Sequence, residues 1–344
     1  GGWRPGSVYH LSVNETSGFG VTMHLIAQAA SVALREGRGL VLHGAWSYFR
    51  HRGCPGNTLG SIECYFQPPH SAVPGDVLWA SDPPEYTANY QLSHDWHVPT
   101  RFSGGGGGVF AFVATITRHF LSPNRRMTRL LDDVKRRIGF GIGGPLMGVH
   151  VRHGDSCTKW DDKHSHLPGT RCVDFNQYLA AMEIIRDKYG VSRAFIATDD
   201  ASLIEKIEGG DYEESEFEFI FVPFDRKLYS ESDWSIELKM LMATMDRRMV
   251  AETTLVDILL LSQCDYFVGT LSSHFGALAY ELSWANKGYH IPHISLDHPW
   301  SGSLLAPVQY YGADGETTKE EEHNTVRKDF TERQSTGVRK PVVF

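Results

Sequence analysis

The chain has 344 residues, of which 41% are hydrophobic and 12% aromatic; this exceeds one typical core and predicts a two-domain α/β protein. A formal net charge of −8 excludes a general nucleic-acid binder, because phosphate backbones demand clustered cations. No apolar run reaches the ~18 residues of a membrane span, and no signal peptide is visible at Gly1-Gly2-Trp3; a start without Met reads as trimmed, so a membrane anchor ahead of it stays open.

In chain order, Ser17-Gly18-Phe19-Gly20 leads into a predicted helix over 21–38, with Val21, Leu25, Ala29 and Val32 at helical spacing, and then into a buried strand at 40–42. Glycines at a helix start permit close approach of a phosphate, and they also serve plain turns. Of the five cysteines, Cys54/Cys64 and Cys157/Cys172 are spaced for local disulfides, and Cys264 is expected buried and free. The sequon Asn14-Glu15-Thr16 fits a secretory-pathway protein. The run Gly104 to Gly108 has no packing value and predicts a loop. Arg125, Arg126, Arg129, Lys135, Arg136 and Arg137 read as the solvated face of a helix.

From Pro145 onward strands are predicted at 147–151, 194–197, 217–222 and 266–269, with helices at 175–189, 201–207, 236–245 and 253–262 among them. That alternation predicts a doubly wound parallel, Rossmann-like sheet. The expected division is an N-terminal α/β domain over 1–144, the Rossmann-like domain over 145–300 and a polar C-terminal segment over 301–344, mobile around 314–322.

Right-handed crossovers place all strand C-termini on one edge, where Arg152, His153, Asp155, Asp199, Asp200, Ser272, Ser273 and His274 collect. An arginine at the end of one apolar strand and a Ser-Ser helix start after another are expected to form two walls of one diphosphate site. Asp199-Asp200 follows a strand and opens a helix, so N-capping accounts for at least one of the pair. Neither an Asp-x-Asp triplet nor a C-x-x-C pair occurs, so no metal cofactor is expected.

Four stretches carry a resemblance to a known family: Gly18-Phe19-Gly20 with its helix and Trp46-x-Tyr48; His150-Val151-Arg152 through Asp155; Ala197-Thr198-Asp199-Asp200-Ala201-Ser202-Leu203; and Asp257 through Leu261-Ser262-Gln263-x-Asp265 to Ser272-Ser273 and Ala279-Tyr280-Glu281. They resemble the α1,6-fucosyltransferases, the core-fucosylating enzymes and the related rhizobial nodulation-factor enzymes. The resemblance implies a two-domain GT-B-like fold and an inverting, metal-independent transfer of fucose from GDP-fucose to a glycan or glycopeptide acceptor. The implied compartment is the Golgi or another secretory-pathway lumen. Arg152 then matches the diphosphate-binding arginine, His150 and Asp257 the guanine-recognising pair, Tyr48 a tyrosine near the ribose, Gly18 and Gly20 the glycine turn facing the nucleotide, and Ser273, with Ser272 beside it, a phosphate contact. Asp257 also reads as a surface carboxylate on a helix, and Trp46 and Tyr48 as core aromatics.

The sequence departs from the family pattern where the chemistry lies. The pattern His-Val-Arg-Arg-x-Asp-Lys, with a catalytic Glu after it, here has His153 for the second Arg, Ser156 for the Lys and Trp160 near the Glu position. Asp155, Asp161 and Asp162 are the candidate bases, with His153 a further possibility, while Arg152 and His153 can stabilise the leaving diphosphate. Trp46, Tyr86, Trp96 and Trp160 could stack on acceptor sugars or serve as packing. Transfer of a different nucleotide-linked sugar, and a catalytically silent glycan- or nucleotide-binding module, are the alternatives.

Overall fold

The computed structural model describes residues 8–13, 17–44, 46–68, 78–80, 96, 98–102, 108–154, 173–230, 235–297, 299–300, 310–311 and 317–318. Asp155, Trp160, Asp161, Asp162, Tyr86, Cys157, Cys172, the sequon and nearly all of the polar C-terminal segment lie outside them.

The first half holds strands β1 (Val8–Ser12), β2 (Gly39–His43) and β3 (Leu78–Ala80), all parallel in that order. Helix α1 (Phe19–Arg35) starts two residues before the predicted position, since Gly18 takes an extended conformation at its N-cap; it ends before Gly37, whose left-handed φ of 64° turns the chain into β2. Met23, Ile26, Ala27 and Ala30 line one face of α1 and Thr22, Ala29 and Ala33 another, and both are buried because the helix is covered on more than one side, by the β1–β2 pair and by two later helices. One of these is α2 (Gly108–Phe120), which begins on the last glycine of the poly-Gly run. Helix α3 (Arg125–Ile138) is started by the Asn124 side chain, which accepts from the amides of Arg126 and Met127, and is stopped by left-handed Gly139. It buries only Met127 and Leu131, and Arg125, Arg129, Arg136 and Arg137 are exposed as predicted. Arg126 turns inward to Glu252 and Tyr65.

The second half holds β4 (Met147–Val151), α4 (Phe175–Tyr189), β5 (Arg193–Thr198), α5 (Ala201–Glu208), β6 (Glu218–Ile220), the short α6 (Lys227–Ser230), α7 (Ile236–Leu241), α8 (Arg247–Leu261), β7 (Tyr266–Gly269), α9 (His274–Lys287) and β8 (His293–Ser295). The five strands form one parallel sheet in the order β6-β5-β4-β7-β8. The mixed α/β class and the doubly wound parallel sheet are therefore as the sequence implies. Two boundaries differ for local reasons. The helix predicted over 236–245 stops at Leu241 because Ala243 is left-handed, with φ 56°. Helix α8 begins six residues early, where the Asp246 carboxylate caps it through the amides of Arg248 and Met249. Strand β8 was not predicted; its three residues are only partly buried and too short to show a period.

β4 is buried on both faces, as a central parallel strand must be. Met147, Val149 and Val151 pack with Tyr178 and Met182 of α4. On the opposite face, Gly148 is small because an added Cβ would lie 3.1 Å from both Leu261 and Cys264. A second apolar cluster is continuous from Leu11 and Leu42 through Met23 and Phe112 to Leu260, Phe267 and Leu278. Cys54 and Cys64 form a disulfide, and Cys264 is buried and free, its thiol pKa raised by burial. Among the described residues no helix is long and apolar enough to cross a membrane.

The two halves pack closely at Gly20, where an added Cβ would lie 2.6 Å from the His274 backbone carbonyl. Backbone on both sides cannot yield as a side chain would. Gly20→Ala is expected to lower stability by about 1–3 kcal/mol, read from the urea midpoint. An unchanged midpoint would show that the two helix starts do not meet this closely.

Candidate active site

The strand order reverses between β4 and β7, and in open α/β sheets ligands bind outside the strand C-termini at such a switch point. β4 leads there into Arg152-His153-Gly154 and β7 into Thr270-Leu271-Ser272-Ser273. Arg152 forms an ion pair with Asp199 at the end of β5. The other Asp199 oxygen accepts the amides of His153 and Gly154 at 3.0 and 2.8 Å, and a Cβ on Gly154 would overlap the same carboxylate. Asp199 therefore fixes the turn that presents Arg152. Asp200 is the N-cap, accepting from the amides of Ser202 and Leu203.

Asp200 also meets His153. The imidazole Nδ1 lies 3.0 Å from the carboxylate, and Nε2 lies 2.7 Å from the Val173 carbonyl. Both partners are acceptors, so both ring nitrogens carry hydrogen and the ring is a cation. Burial opposes that charge, but the hydrogen bonds to Asp200 and Val173 outweigh it and raise the His153 pKa, while Asp200 is lowered to about 2 with His153 as a principal cause against its own burial. In this state His153 has no lone pair to take a proton.

At the β7 end the amides do not all face outward. Asp297, two residues past β8, accepts from Leu271 N at 2.9 Å and from the amide and hydroxyl of Ser272. Ser272 thus spends the groups that the sequence reserves for a phosphate. No pattern in the sequence marks Asp297, which follows the three-residue β8. Ser273 is the N-cap of α9 and makes no side-chain cap hydrogen bond, and Gly18 at the start of α1 makes none either. Two helix N-termini, abutting at Gly20 and His274, thereby bring first-turn amides and the positive ends of their dipoles together.

Deeper in the sheet lie polar atoms with unused hydrogen-bonding capacity. His150, on β4, is buried and stacked on Phe275 at 4.8 Å, and its Nδ1 has no partner among the described residues. Gly276 makes room for it: a Cβ there would lie 2.9 Å from that nitrogen. Burial first and the field of Arg152 second lower its pKa to about 3, so this imidazole is neutral. Asp257, on α8, is buried rather than a surface carboxylate, and its Oδ1 has no partner. Burial lifts its pKa to about 7 against the opposing pull of Arg226. No motif or spacing singles out Arg226. It donates from Nε to the Thr198 carbonyl at 3.0 Å, lies 4.1 Å from the Phe224 ring centroid, and leaves Nη2 without a partner. A buried polar atom left unsatisfied costs about 1–3 kcal/mol, so His150, Asp257 and Arg226 are each retained against a cost.

The aromatic candidates resolve toward packing. Trp46 is fully buried and stacked on Phe19 at 4.8 Å, which removes it as a sugar platform. Tyr48 is buried against the same Phe19, and its hydroxyl donates to Glu237 at 2.8 Å. Glu237 in turn lies 3.5 Å from where a Cβ on Gly18 would stand. Trp96 is half-buried against Phe112. Among the described residues, three possible metal-ligating side chains come together at His51, Cys54 and Cys64, with both sulfurs in the disulfide.

The Asp257 pKa of about 7 lies above its unfolded value of 3.8, so folding favours the protonated carboxyl. Its contribution to stability is complete below that unfolded value and is lost as pH rises through about 7. Asp257→Asn is therefore expected to melt several degrees above the wild type at pH ~8 without ligand, and to show little difference at pH ~4. Equal melting differences at both pH values would contradict the burial of this carboxyl.

A family described as alpha-(1,6)-fucosyltransferase N- and catalytic domains matches residues 105–297, more than half of the chain and all of the second sheet. Among solved structures, the fucosyltransferase NodZ from Bradyrhizobium is 16% identical, with 84% of this chain and 96% of that chain covered and a TM-score of 0.46. NodZ alpha-1,6-fucosyltransferase co-crystallised with GDP is 17% identical, with 85% and 96% covered and a TM-score of 0.47. POFUT1 in complex with GDP-fucose is 13% identical, with 82% and 95% covered and a TM-score of 0.47. The sequence match, with its span across β4, α8 and the β7–α9 turn, decides the assignment: the chain belongs to the alpha-(1,6)-fucosyltransferase family and is a glycosyltransferase.

Proposed function

We propose that the protein transfers fucose from GDP-fucose to a glycan or glycopeptide acceptor, with inversion and without a metal. The observation that carries this is the strand-end arginine, Arg152, held by Asp199 two residues from His150, with Asp257 buried on the adjoining helix. A buried carboxylate with a free oxygen suits the N1–H and exocyclic amine of guanine, and a bidentate guanidinium suits a diphosphate. NodZ was co-crystallised with GDP and POFUT1 is in complex with GDP-fucose, and family membership supports the same donor here.

In the proposed reaction the acceptor hydroxyl oxygen bonds to the anomeric carbon, the bond from that carbon to the diphosphate oxygen breaks, and GDP leaves with the electron pair. Arg152, the cationic His153 and the helix amides stabilise the charge that develops on the diphosphate. With His153 already protonated, the hydroxyl proton needs another acceptor. Asp155, three residues after Arg152, is that base in this proposal, ahead of Asp161 and Asp162. The absence of an Asp-x-Asp triplet supports a donor site without a divalent cation. The Cys54–Cys64 disulfide supports an oxidising secretory-pathway lumen, such as the Golgi.

Arg152→Ala is expected to abolish transfer and to weaken GDP binding by about 2–4 kcal/mol while the protein stays folded. In a thermal-shift assay GDP should stabilise the wild type and UDP should not. Near-normal GDP affinity in Arg152→Ala, or stabilisation by UDP as strong as by GDP, would sink this donor site. Transfer should persist in excess EDTA, and in the same assay Asp155→Asn should lose most turnover while keeping GDP affinity. Strict dependence on magnesium or manganese, or full turnover in Asp155→Asn, would overturn the mechanism.

A further inference from the structure

A buried chain of three titratable groups ends at the start of α9 and is used by nothing described above. Glu281, fully buried on α9, lies 3.0 Å from Nε2 of His24 on α1. Nδ1 of His24 lies 2.9 Å from Nδ1 of His274, the first residue of α9. The other groups facing Glu281 are the Trp300 indole at 2.7 Å and the Thr117 hydroxyl of α2 at 3.4 Å, both donors. Among the described residues no Lys or Arg is hydrogen-bonded or ion-paired to any of the three. The neighbouring carboxylates at the helix starts are spoken for: Asp297 by Leu271 and Ser272, and Glu237 by Tyr48. Nε2 of His274 has no partner among the described residues.

Hydrogen-bond logic, with His274 neutral, leaves this chain two arrangements. A carboxylate can only accept, so His24 bears hydrogen on Nε2. The two facing Nδ1 atoms share one hydrogen. If His24 is neutral, its Nδ1 accepts from His274, and the outer Nε2 of His274 is a bare lone pair. With one more proton in the chain, His24 is a cation paired with Glu281 and donates from Nδ1. His274 stays neutral, and its Nε2 now bears hydrogen. One proton taken up by the chain therefore converts Nε2 of His274 from an acceptor into a donor without moving any heavy atom. Burial and the field of His24 lower the His274 pKa to about 3, so His274 stays neutral in both arrangements.

We propose that Glu281, His24 and His274 form a proton relay coupling nucleotide-diphosphate binding to the uptake of one proton, with the His274 Nε2–H donating to a phosphate oxygen. His24 and Glu281 are positioning residues, since they act only through the tautomer of His274. This inference rests on the GDP site proposed above. The location supports it: His274 follows Ser272-Ser273 and abuts Gly20, so it stands where the two helix N-termini meet. An anion there repels the lone pair of one form and attracts the hydrogen of the other, so it selects the protonated relay.

The test compares GDP binding to the wild type and to His274→Gln, whose amide N–H can donate at any pH. Dissociation constants are measured by calorimetry from about pH 6 to 9, in pairs of buffers with different ionisation enthalpies. The titrations of GDP itself and of Asp257 are common to both proteins and cancel in the difference. Wild-type affinity should fall relative to His274→Gln as pH rises, by up to tenfold per pH unit, and the wild type should take up a proton that the variant does not. Glu281→Gln, if it folds, should lose the same proton. Parallel pH profiles with equal proton uptake would overturn the relay and leave the GDP site standing. So would loss of GDP binding in folded His274→Gln. If the wild type bound no GDP at all, the donor-site proposal would fall and the relay with it.

Discussion

The Asp199 carboxylate faces the Arg152 guanidinium with one oxygen and accepts the next two backbone amides with the other, so one side chain at the end of β5 fixes the course of the chain as it leaves β4. The neighbouring Asp200 extends the same control to His153 and to the start of α5. Two adjacent carboxylates at one strand end thus order the cations at the next. An arginine at a strand end would otherwise sample many rotamers, and ordering it only when an anion arrives would cost binding free energy. The pair also offsets part of the positive charge of Arg152 and His153, which makes their juxtaposition tolerable in the unliganded protein.

Charge is distributed along the switch point in a graded way. At the outer edge lie cations and helix dipoles, suited to a diphosphate. Further in, the groups are neutral or nearly so: His150 cannot be protonated near neutral pH, and Asp257 is held by burial at the threshold of ionisation. A ligand that brought N–H donors to Asp257 would favour its ionised form and relieve the unsatisfied oxygen in the same step. The cost of keeping such groups buried is carried by the rest of the fold, chiefly by the apolar cluster that α8 shares with α1 and α2.

Most of the second sheet was legible because its strands are continuous apolar runs ending in polar punctuation. β4 and β7 end where Arg152 and Thr270 interrupt Val and Gly, and α4 is bracketed by an Asp174 cap and left-handed Gly190. The surface reading of Asp257 fails because the residue is buried in Leu255-Val256-Asp257-Ile258-Leu259-Leu260-Leu261, a stretch with no polar face for a carboxylate to occupy. That context was the available signal. Asp297 gave none, since its importance depends on a three-residue strand and on amides over twenty positions earlier in the chain. Tyr48 shows the opposite limit. Its motif points to a nucleotide, but the hydroxyl bonds Glu237, whose relevance only the tertiary fold reveals.

Several of these contacts join the first half of the chain to the second: Tyr48 to Glu237, His24 to Glu281 and His274, and Gly20 to the α9 backbone. All three lie at or near the start of α1. Neither helix start carries a side-chain cap there, so each leaves first-turn backbone donors without a side-chain acceptor. Bringing two positive helix ends together is unfavourable on its own. The apposition holds because Phe19, Met23 and Ile26 are buried in the apolar cluster shared with α8 and α9. An anion bound between the two starts would reverse the sign of that electrostatic term, and would then stabilise the junction between the halves as well as its own site.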